Sequence, residues 1–267
     1  MSFAWDRYLA RVGLEGVPKP DESGLRALHE AQFLNIPFEN FDIPLGRGVS
    51  LDAHHVFDKL VNHRRGGYCF ELNGLMLEAL LAAGFQARPI LARVHLEPEP
   101  SGLTHQMSLV ELDGRSWLMD VGFGAGGLRC PLPIEVDRSE ENSAWGFRIV
   151  ADDHWGMMMQ SREKGVWKNS YSFDLAHMCE ADREVGNHYT STSADSHFVT
   201  MREASLPTPT GRVSLLDFVK TTIEGDHKET ARVPDDQSYL DELVTVFNID
   251  LGVPYSSLRK IPQTDEV

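Results

Sequence analysis

Cys69, His105 and Asp120 lie in the chain in an order that could turn a thiol into an acyl-group nucleophile. A cysteine needs a base to take its proton, and the base needs a third group to hold its ring. Cys69 sits in RRGGYCFELNGL (residues 64–75), directly after Arg-Gly-Gly-Tyr and at the head of an apolar pattern. A cysteine that only packs needs no such neighbourhood. A thiolate is favoured by the N–H groups and positive end of a helix, and there the cysteine's own N–H could stabilise a developing oxyanion. Gly66 and Gly67, lacking Cβ, are expected to give a sharp turn and let a substrate approach the sulfur.

The surrounding pattern says which elements must position these groups. Leu72, Leu75, Met76, Ala79 and Leu80 share one helical face and Gly84 is a fitting terminator, so Cys69 falls in a first helical turn. Upstream, Leu25, Leu28, Phe33 and Leu34 follow the candidate cap Ser23 at helical spacing, and Val56, Leu60 and Val61 continue the pattern. From Phe85 the texture changes to strands: ARPILARVHL, THQMSLVEL and RSWLMDVGF, the last two joined by Asp113-Gly114, a strong hairpin signal. With Leu112 opposite Arg115, Met107 falls opposite Asp120, and His105 lies on the same face one diagonal step away. Diagonal neighbours have Cβ atoms about 7–8 Å apart, within reach of an imidazole and a carboxylate. The register therefore predicts a His105–Asp120 pair.

Strand texture continues through GFRIVADDHWGMMMQ and GVWKNSYSFDL. From about Ser193 the chain mixes a strand-like HFVTMREAS, a loop at LPTPTGR and a helix at SYLDELVTVFNI. The expected architecture is α+β: a helical domain over residues 1–84 carrying the nucleophile, a β-barrel over 85–192 carrying His and Asp, and a small α/β lid over 193–267.

Composition excludes several classes. The 267 residues, 42% hydrophobic and 24% charged, can bury substantial cores. A net charge of −15, from 25 Lys and Arg against 40 Asp and Glu, repels nucleic acid and anionic membranes. No leader pattern or bilayer-length apolar run occurs, so a cytoplasmic protein is expected. Three widely spaced cysteines fit neither a disulfide framework nor a zinc site. Cys130, beside Pro131, and Cys179, in AHMCEADRE, lack the helix-start glycines and are read as structural. His54, His55 and His63 have no second ligand cluster, so no metal is expected. GFGAGG (residues 122–127) lacks a P-loop's Lys-Ser/Thr ending; next to Asp120 it is a candidate phosphate cradle.

IPFEN (residues 36–40), RRGGYCFELNGL, Thr104-His105 before a strand, and DVGFG (residues 120–124) resemble, in order and spacing, the arylamine N-acetyltransferases. The resemblance covers most of the chain, weakening beyond about Phe198. It implies a three-domain fold of helical bundle, β-barrel and α/β lid, with a core like that of papain-type cysteine proteases. It further implies acetyl-CoA as co-substrate and an arylamine or hydrazine as acceptor. On it Cys69 is the nucleophile, His105 the base and Asp120 the orienter. Phe70, Val94 and Phe123 match the acceptor pocket. Thr104, Gly124, Gly126 and Gly127 match the coenzyme region, and Arg65 with Glu39 looks like an ion pair bracing the cysteine loop. Two departures bear on the coenzyme region: Ala-Gly-Gly after GFG where many bacterial members have Gly-Gln, and Leu103 where an arginine often precedes Thr-His. The same three groups would also serve a thiol hydrolase or a macrolactam-forming amide synthase, and a coenzyme-binding module with a vestigial site is the non-enzymatic rival.

Overall fold

The computed structural model describes residues 3–142 and 145–261; the outermost ends of the first and last expected domains lie outside them. Four helices come early: α1 (Trp5–Val12), α2 (Glu22–Asn35), α3 (Ala53–Phe57) and α4 (Cys69–Ala82). The cap of α2 is Asp21 and not Ser23: its carboxylate accepts the Gly24 N–H at 2.8 Å, which leaves Ser23 inside the first turn. α3 runs on into a π-helical turn over Asp58–Asn62. Leu25, Leu28, Leu60, Leu72, Met76 and Leu80 pack as one core. Between α2 and α3 a two-residue strand, β1 (Phe38–Glu39), stands apart from the helices it interrupts.

Eight strands form the second unit: β2 (Gln86–Val94), β3 (Leu103–Leu112), β4 (Arg115–Met119), β5 (Leu132–Pro133), β6 (Ser139–Glu141), β7 (Gly146–Asp152), β8 (Gly156–Glu163) and β9 (Val166–Phe173). They pair antiparallel in the order β5-β4-β3-β2-β9-β8-β7-β6. A bridge from Val136 to Ile149, with the Asp137 N–H donating to the Ile149 carbonyl at 2.8 Å, ties the chain after β5 to β7 and nearly closes the barrel. Ile90, Met107, Leu109, Leu118, Ile149, Met159 and Tyr171 fill its core. The Asp113-Gly114 hairpin has the expected register, with Leu112 opposite Arg115 and Ser108 opposite Met119. β4 ends at Met119, so Asp120 projects from the residue just beyond it.

The remaining elements are α5 (Glu180–Thr192), α6 (His197–Thr200), β10 (Glu203–Pro207), β11 (Gly211–Leu216), β12 (Val219–Glu224), β13 (His227–Arg232) and α7 (Ser238–Phe247). Two readings change here. HFVT is a short helix and only the end of HFVTMREAS is strand. α5, which carries Cys179 at its cap, was not foreseen, because most of its side chains are exposed and it has no apolar stripe. The sheet order is β1-β10-β11-β12-β13, so IPFEN supplies an edge strand to the C-terminal unit. Asn40 fixes that junction: its Nδ2 donates to the Phe198 and Met201 carbonyls at 2.9 and 2.8 Å, and its Oδ1 accepts the Glu203 N–H at 2.8 Å.

Candidate active site

Cys69 is the first residue of α4, preceded by Tyr68 in extended backbone. Glu71 reaches back to accept the Tyr68 N–H at 3.1 Å and takes Lys59 on its other oxygen at 2.7 Å. Lys59 also pairs with Asp42 at 2.6 Å, and Arg65 pairs with Glu39 at 2.7 Å and Asp42 at 3.3 Å. The Arg65–Glu39 contact is thus one link of a buried network under the helix start. Burial alone would lower the Lys59 pKa, but Glu71, Glu39 and Asp42 outweigh it and raise it. Removing one partner from such a network costs about 3–5 kcal/mol, since it strands a buried charge.

The paired glycines are packed closely against the protein itself. A Cβ on Gly66 would meet the Pro37 carbonyl oxygen at 2.2 Å, and one on Gly67 would meet Glu71 at 2.8 Å. They admit the IPFEN backbone and the bracing carboxylate. The glycine against the cysteine is Gly122, where a Cβ would lie 2.6 Å from Asn73 Nδ2 and 2.8 Å from the Cys69 Cα.

His105, on β3, and Asp120 meet as the hairpin register requires, with Nε2 to Oδ2 at 2.8 Å. That bond leaves Nδ1 as the nitrogen for the Cys69 sulfur, and Sγ lies 3.6 Å from the Thr104 carbonyl oxygen. Burial would lower the His105 pKa, but the Asp120 charge and hydrogen bond, with Cys69, outweigh it and push it up to about 10. Burial would raise Asp120, but His105, Asn73 and the Gly122 N–H hold it below the usual carboxylate range. The resting imidazole is therefore protonated, with Nδ1 a hydrogen-bond donor on the side of the Cys69 sulfur.

Three groups around this set were missed. Asn73 donates to Asp120 Oδ1 at 2.9 Å and to the Gln106 carbonyl at 2.7 Å, and accepts the Val121 N–H at 3.0 Å. Its signal was available: an Asn one turn after Cys69 is a poor interior helix residue unless its amide is used. His29 contacts the Asp120 carbonyl through Nε2 at 3.1 Å; burial pushes its pKa down to about 4, so it is neutral and donates from that nitrogen. The Tyr171 ring lies 5.2 Å from His105 and 5.0 Å from Phe123.

The expected pocket residues divide. Phe123 meets His105 edge to face at 5.0 Å, and Val94 pairs with Tyr171 across β2 and β9. Phe70 is fully buried, with Gly186 of α5 behind its ring. In the glycine turn, Gly124 has a left-handed φ of 64° and Gly126 is exposed. The Ala125 N–H goes to Ser205 Oγ at 3.0 Å and the Gly127 N–H to the Gly124 carbonyl at 3.1 Å, so two of the expected cradle donors are engaged within the protein. The Thr104 hydroxyl donates to Ser101 Oγ at 3.0 Å.

Thiol labelling checks the sulfur. Cys69 is 4% exposed, Cys130 is half-buried, and Cys179 is exposed. Burial and the Glu140 charge push Cys130 up to about 11. With one equivalent of iodoacetamide at about pH 6–7, peptide mapping should find Cys69 modified first despite its burial, because the thiolate is the reactive form. Labelling that follows exposure, with Cys179 first, would mean that no activated thiolate exists.

The fold and site define an N-acetyltransferase: a family model of that description matches residues 23–255. The chain belongs to the arylamine N-acetyltransferase family. It is 36% identical to the arylamine N-acetyltransferase of Mycolicibacterium smegmatis, over 92% of this chain and 91% of that one. It is 34% identical to the arylamine N-acetyltransferase / N-hydroxyarylamine O-acetyltransferase of Salmonella typhimurium, over 92% and 88%. The solved Salmonella typhimurium enzyme superposes with a TM-score of 0.89 at 31% identity, covering 96% of this chain and 97% of that one. The Mycobacterium marinum enzyme in complex with CoA superposes at 0.88 and 30% identity, covering 95% and 96%. Among the described residues no helix is long and apolar enough to cross a membrane.

Proposed function

We propose that Cys69, His105 and Asp120 carry acetyl transfer from acetyl-CoA to arylamines, arylhydrazines and N-hydroxyarylamines through an acetyl-cysteine. The observation that supports this most is the hydrogen-bonded His105–Asp120 pair beside a cysteine at a helix start. In the first half-reaction the Cys69 thiolate attacks the acetyl carbonyl and the carbon–sulfur bond to coenzyme A breaks. His105 gives its proton to the departing CoA thiolate. One thioester replaces another, so the step is nearly balanced and only its barrier must fall. In the second, the amine nitrogen attacks acetyl-Cys69, the thiolate leaves, and His105 takes the proton from nitrogen. Each substrate meets a different form of the enzyme, which is a ping-pong scheme.

Phe123, Tyr171 and Val94 supply an apolar wall beside His105 that suits an aromatic ring. Phe70, next to Cys69 at the start of α4, completes the acceptor pocket, and Thr104 with Gly124, Gly126 and Gly127 borders the coenzyme. On this reading residues 1–84 present the nucleophile, 85–192 the base and its orienter, and 193–267 the lid. A reducing compartment suits a thiol that must stay free.

Mixing the protein with acetyl-CoA alone should release about one equivalent of CoA in a burst and then turn over slowly, with an acetyl adduct at Cys69 by intact mass. An arylamine should then accelerate CoA release and give parallel double-reciprocal lines. Steady release without amine that already matches the rate with one would identify a thioesterase instead.

A further inference from the structure

Glu203 opens β10, and its backbone is locked on both sides: its N–H is held by Asn40 Oδ1 at 2.8 Å, and its carbonyl accepts the Asn40 N–H at 3.3 Å. Strand alternation puts its side chain on the same face as Ser205, whose Oγ takes the Ala125 N–H of the glycine turn. The carboxyl accordingly faces that turn, with Oε1 3.8 Å from where a Cβ on Gly124 would sit; Ser205 Oγ and the Phe38 ring border the same point at 3.3 and 4.0 Å. Gly124 borders the coenzyme on the reading above, and Phe123, next to it in the chain, packs on His105, so the turn that Glu203 faces also adjoins the acceptor side. Phe198, whose ring lies 5.9 Å from Phe38 and 5.8 Å from Tyr68, extends the aromatic surface. Glu203 is only partly exposed, and among the described residues its carboxyl makes no hydrogen bond and no ion pair. Its oxygens still reach solvent, so the carboxyl is held at the edge of the aromatic wall with no partner from the fold.

Several charged groups of the elements packed around it are engaged elsewhere. Glu39 on β1 is held by Arg65 and the Phe41 N–H. Arg202, one residue earlier and on the opposite face, donates to the Tyr255 hydroxyl and the Arg259 carbonyl, and its N–H goes to Asp217. Arg212 on β11 reaches Glu163 at 3.9 Å with one guanidinium nitrogen and lies 3.8 Å from where a Cβ on Gly126 would sit with the other, His29 on α2 goes to the Asp120 carbonyl, and His197 on α6 packs on Phe198. The 124–126 turn carries no titratable side chain.

We propose that Glu203 is a charge-selecting residue of the acceptor cleft, favouring arylamines and arylhydrazines whose ring carries a cationic or N–H-donating substituent and disfavouring carboxylated ones. This rests on the transferase reading above. An amidinium or ammonium on the ring would give the carboxylate the partner the fold withholds, whereas a ring carboxylate would bring a second anion to it in a low-dielectric wall. Burial pushes the Glu203 pKa up to about 7. The sign follows: the group is mostly neutral below that value and anionic above it, so selection for cations strengthens as pH rises through it.

The test compares kcat/KM for 4-aminobenzamidine, 4-aminobenzoate and p-toluidine on the intact protein between about pH 6 and pH 8, where neither ring substituent changes charge. Both acceptors draw on the same acetyl-enzyme, so titration of His105 cancels in their ratio. The amidine-to-carboxylate ratio should rise about fivefold to tenfold across this range in the unaltered protein, as Glu203 ionises. Glu203→Gln should lower the ratio at about pH 8 by a similar factor and flatten its pH profile. A ratio independent of pH in the unaltered protein overturns the proposal even if the variant does not fold, as does a Glu203→Gln profile superimposable on the parent's. Failure of the unaltered protein to acetylate p-toluidine would instead remove the transferase reading, and this proposal with it.

Discussion

Cys69→Ser is expected to lose acetyl transfer by about 10⁴-fold or more, at matched far-UV circular dichroism. The size follows from the proton inventory of the site. His105 is already protonated at neutral pH, because the Asp120 charge and hydrogen bond outweigh its burial. An imidazolium stabilises a preformed thiolate but cannot remove a proton from a serine hydroxyl, whose pKa is far above that of a thiol. The variant should also give no burst of CoA and no acetyl adduct. Cys130→Ala and Cys179→Ala should keep both, since neither sulfur adjoins the His105–Asp120 pair. Transfer by Cys69→Ser within about tenfold of the parent would show that the acyl group travels by another route.

Asp120→Asn should cost about 10⁴-fold in kcat/KM and should also lower the unfolding temperature. The carboxylate accepts from three donors: His105 Nε2, Asn73 Nδ2 and the Gly122 N–H. An amide has one oxygen, and its nitrogen can only donate. If the oxygen keeps Asn73 and Gly122, the new NH₂ confronts His105 Nε2, which must then give up its proton. The ring turns neutral with its hydrogen on Nδ1, and the cationic partner of the sulfur is gone. If the amide flips, two buried donors are left unpaired, at about 1–3 kcal/mol each. Iodoacetamide labelling of Cys69 at about pH 6–7 should slow along with transfer, a readout that a loss of stability alone does not produce. Normal labelling with only a lowered unfolding temperature would reduce Asp120 to a structural role.

The parts of this site that could be read from the chain are those fixed by local rules. A two-residue Asp-Gly turn sets the strand register, and side chains alternate, so the meeting of His105 with Asp120 is an arithmetic consequence of residues 112–115. The place of Cys69 at a helix start follows from the apolar stripe behind it. The rest depends on partners that spacing does not specify. Nothing around Gly66 announces that Pro37 will lie against it, and nothing in IPFEN reveals that its Asn40 will clasp residues 198–203. α5 stayed hidden because an exposed helix lacks the stripe by which helices are recognised, and its buried Gly186, where it meets Phe70, is too small to signal one.

The pairing of Phe38 with Ser205 also imposes an order in time on the molecule. During translation Phe38 leaves the ribosome long before its partner strand exists; at about 5–20 residues per second the wait is on the order of ten seconds or more. Through that interval the helices around Cys69 have their own core to fold onto and the barrel can bring His105 to the sulfur, but the wall built from Phe38, Phe198 and Ser205 is missing. The nascent chain thus carries an assembled thiol before it has a finished cleft, and the two-residue seam that completes the cleft can form only after residues 203–207 have emerged.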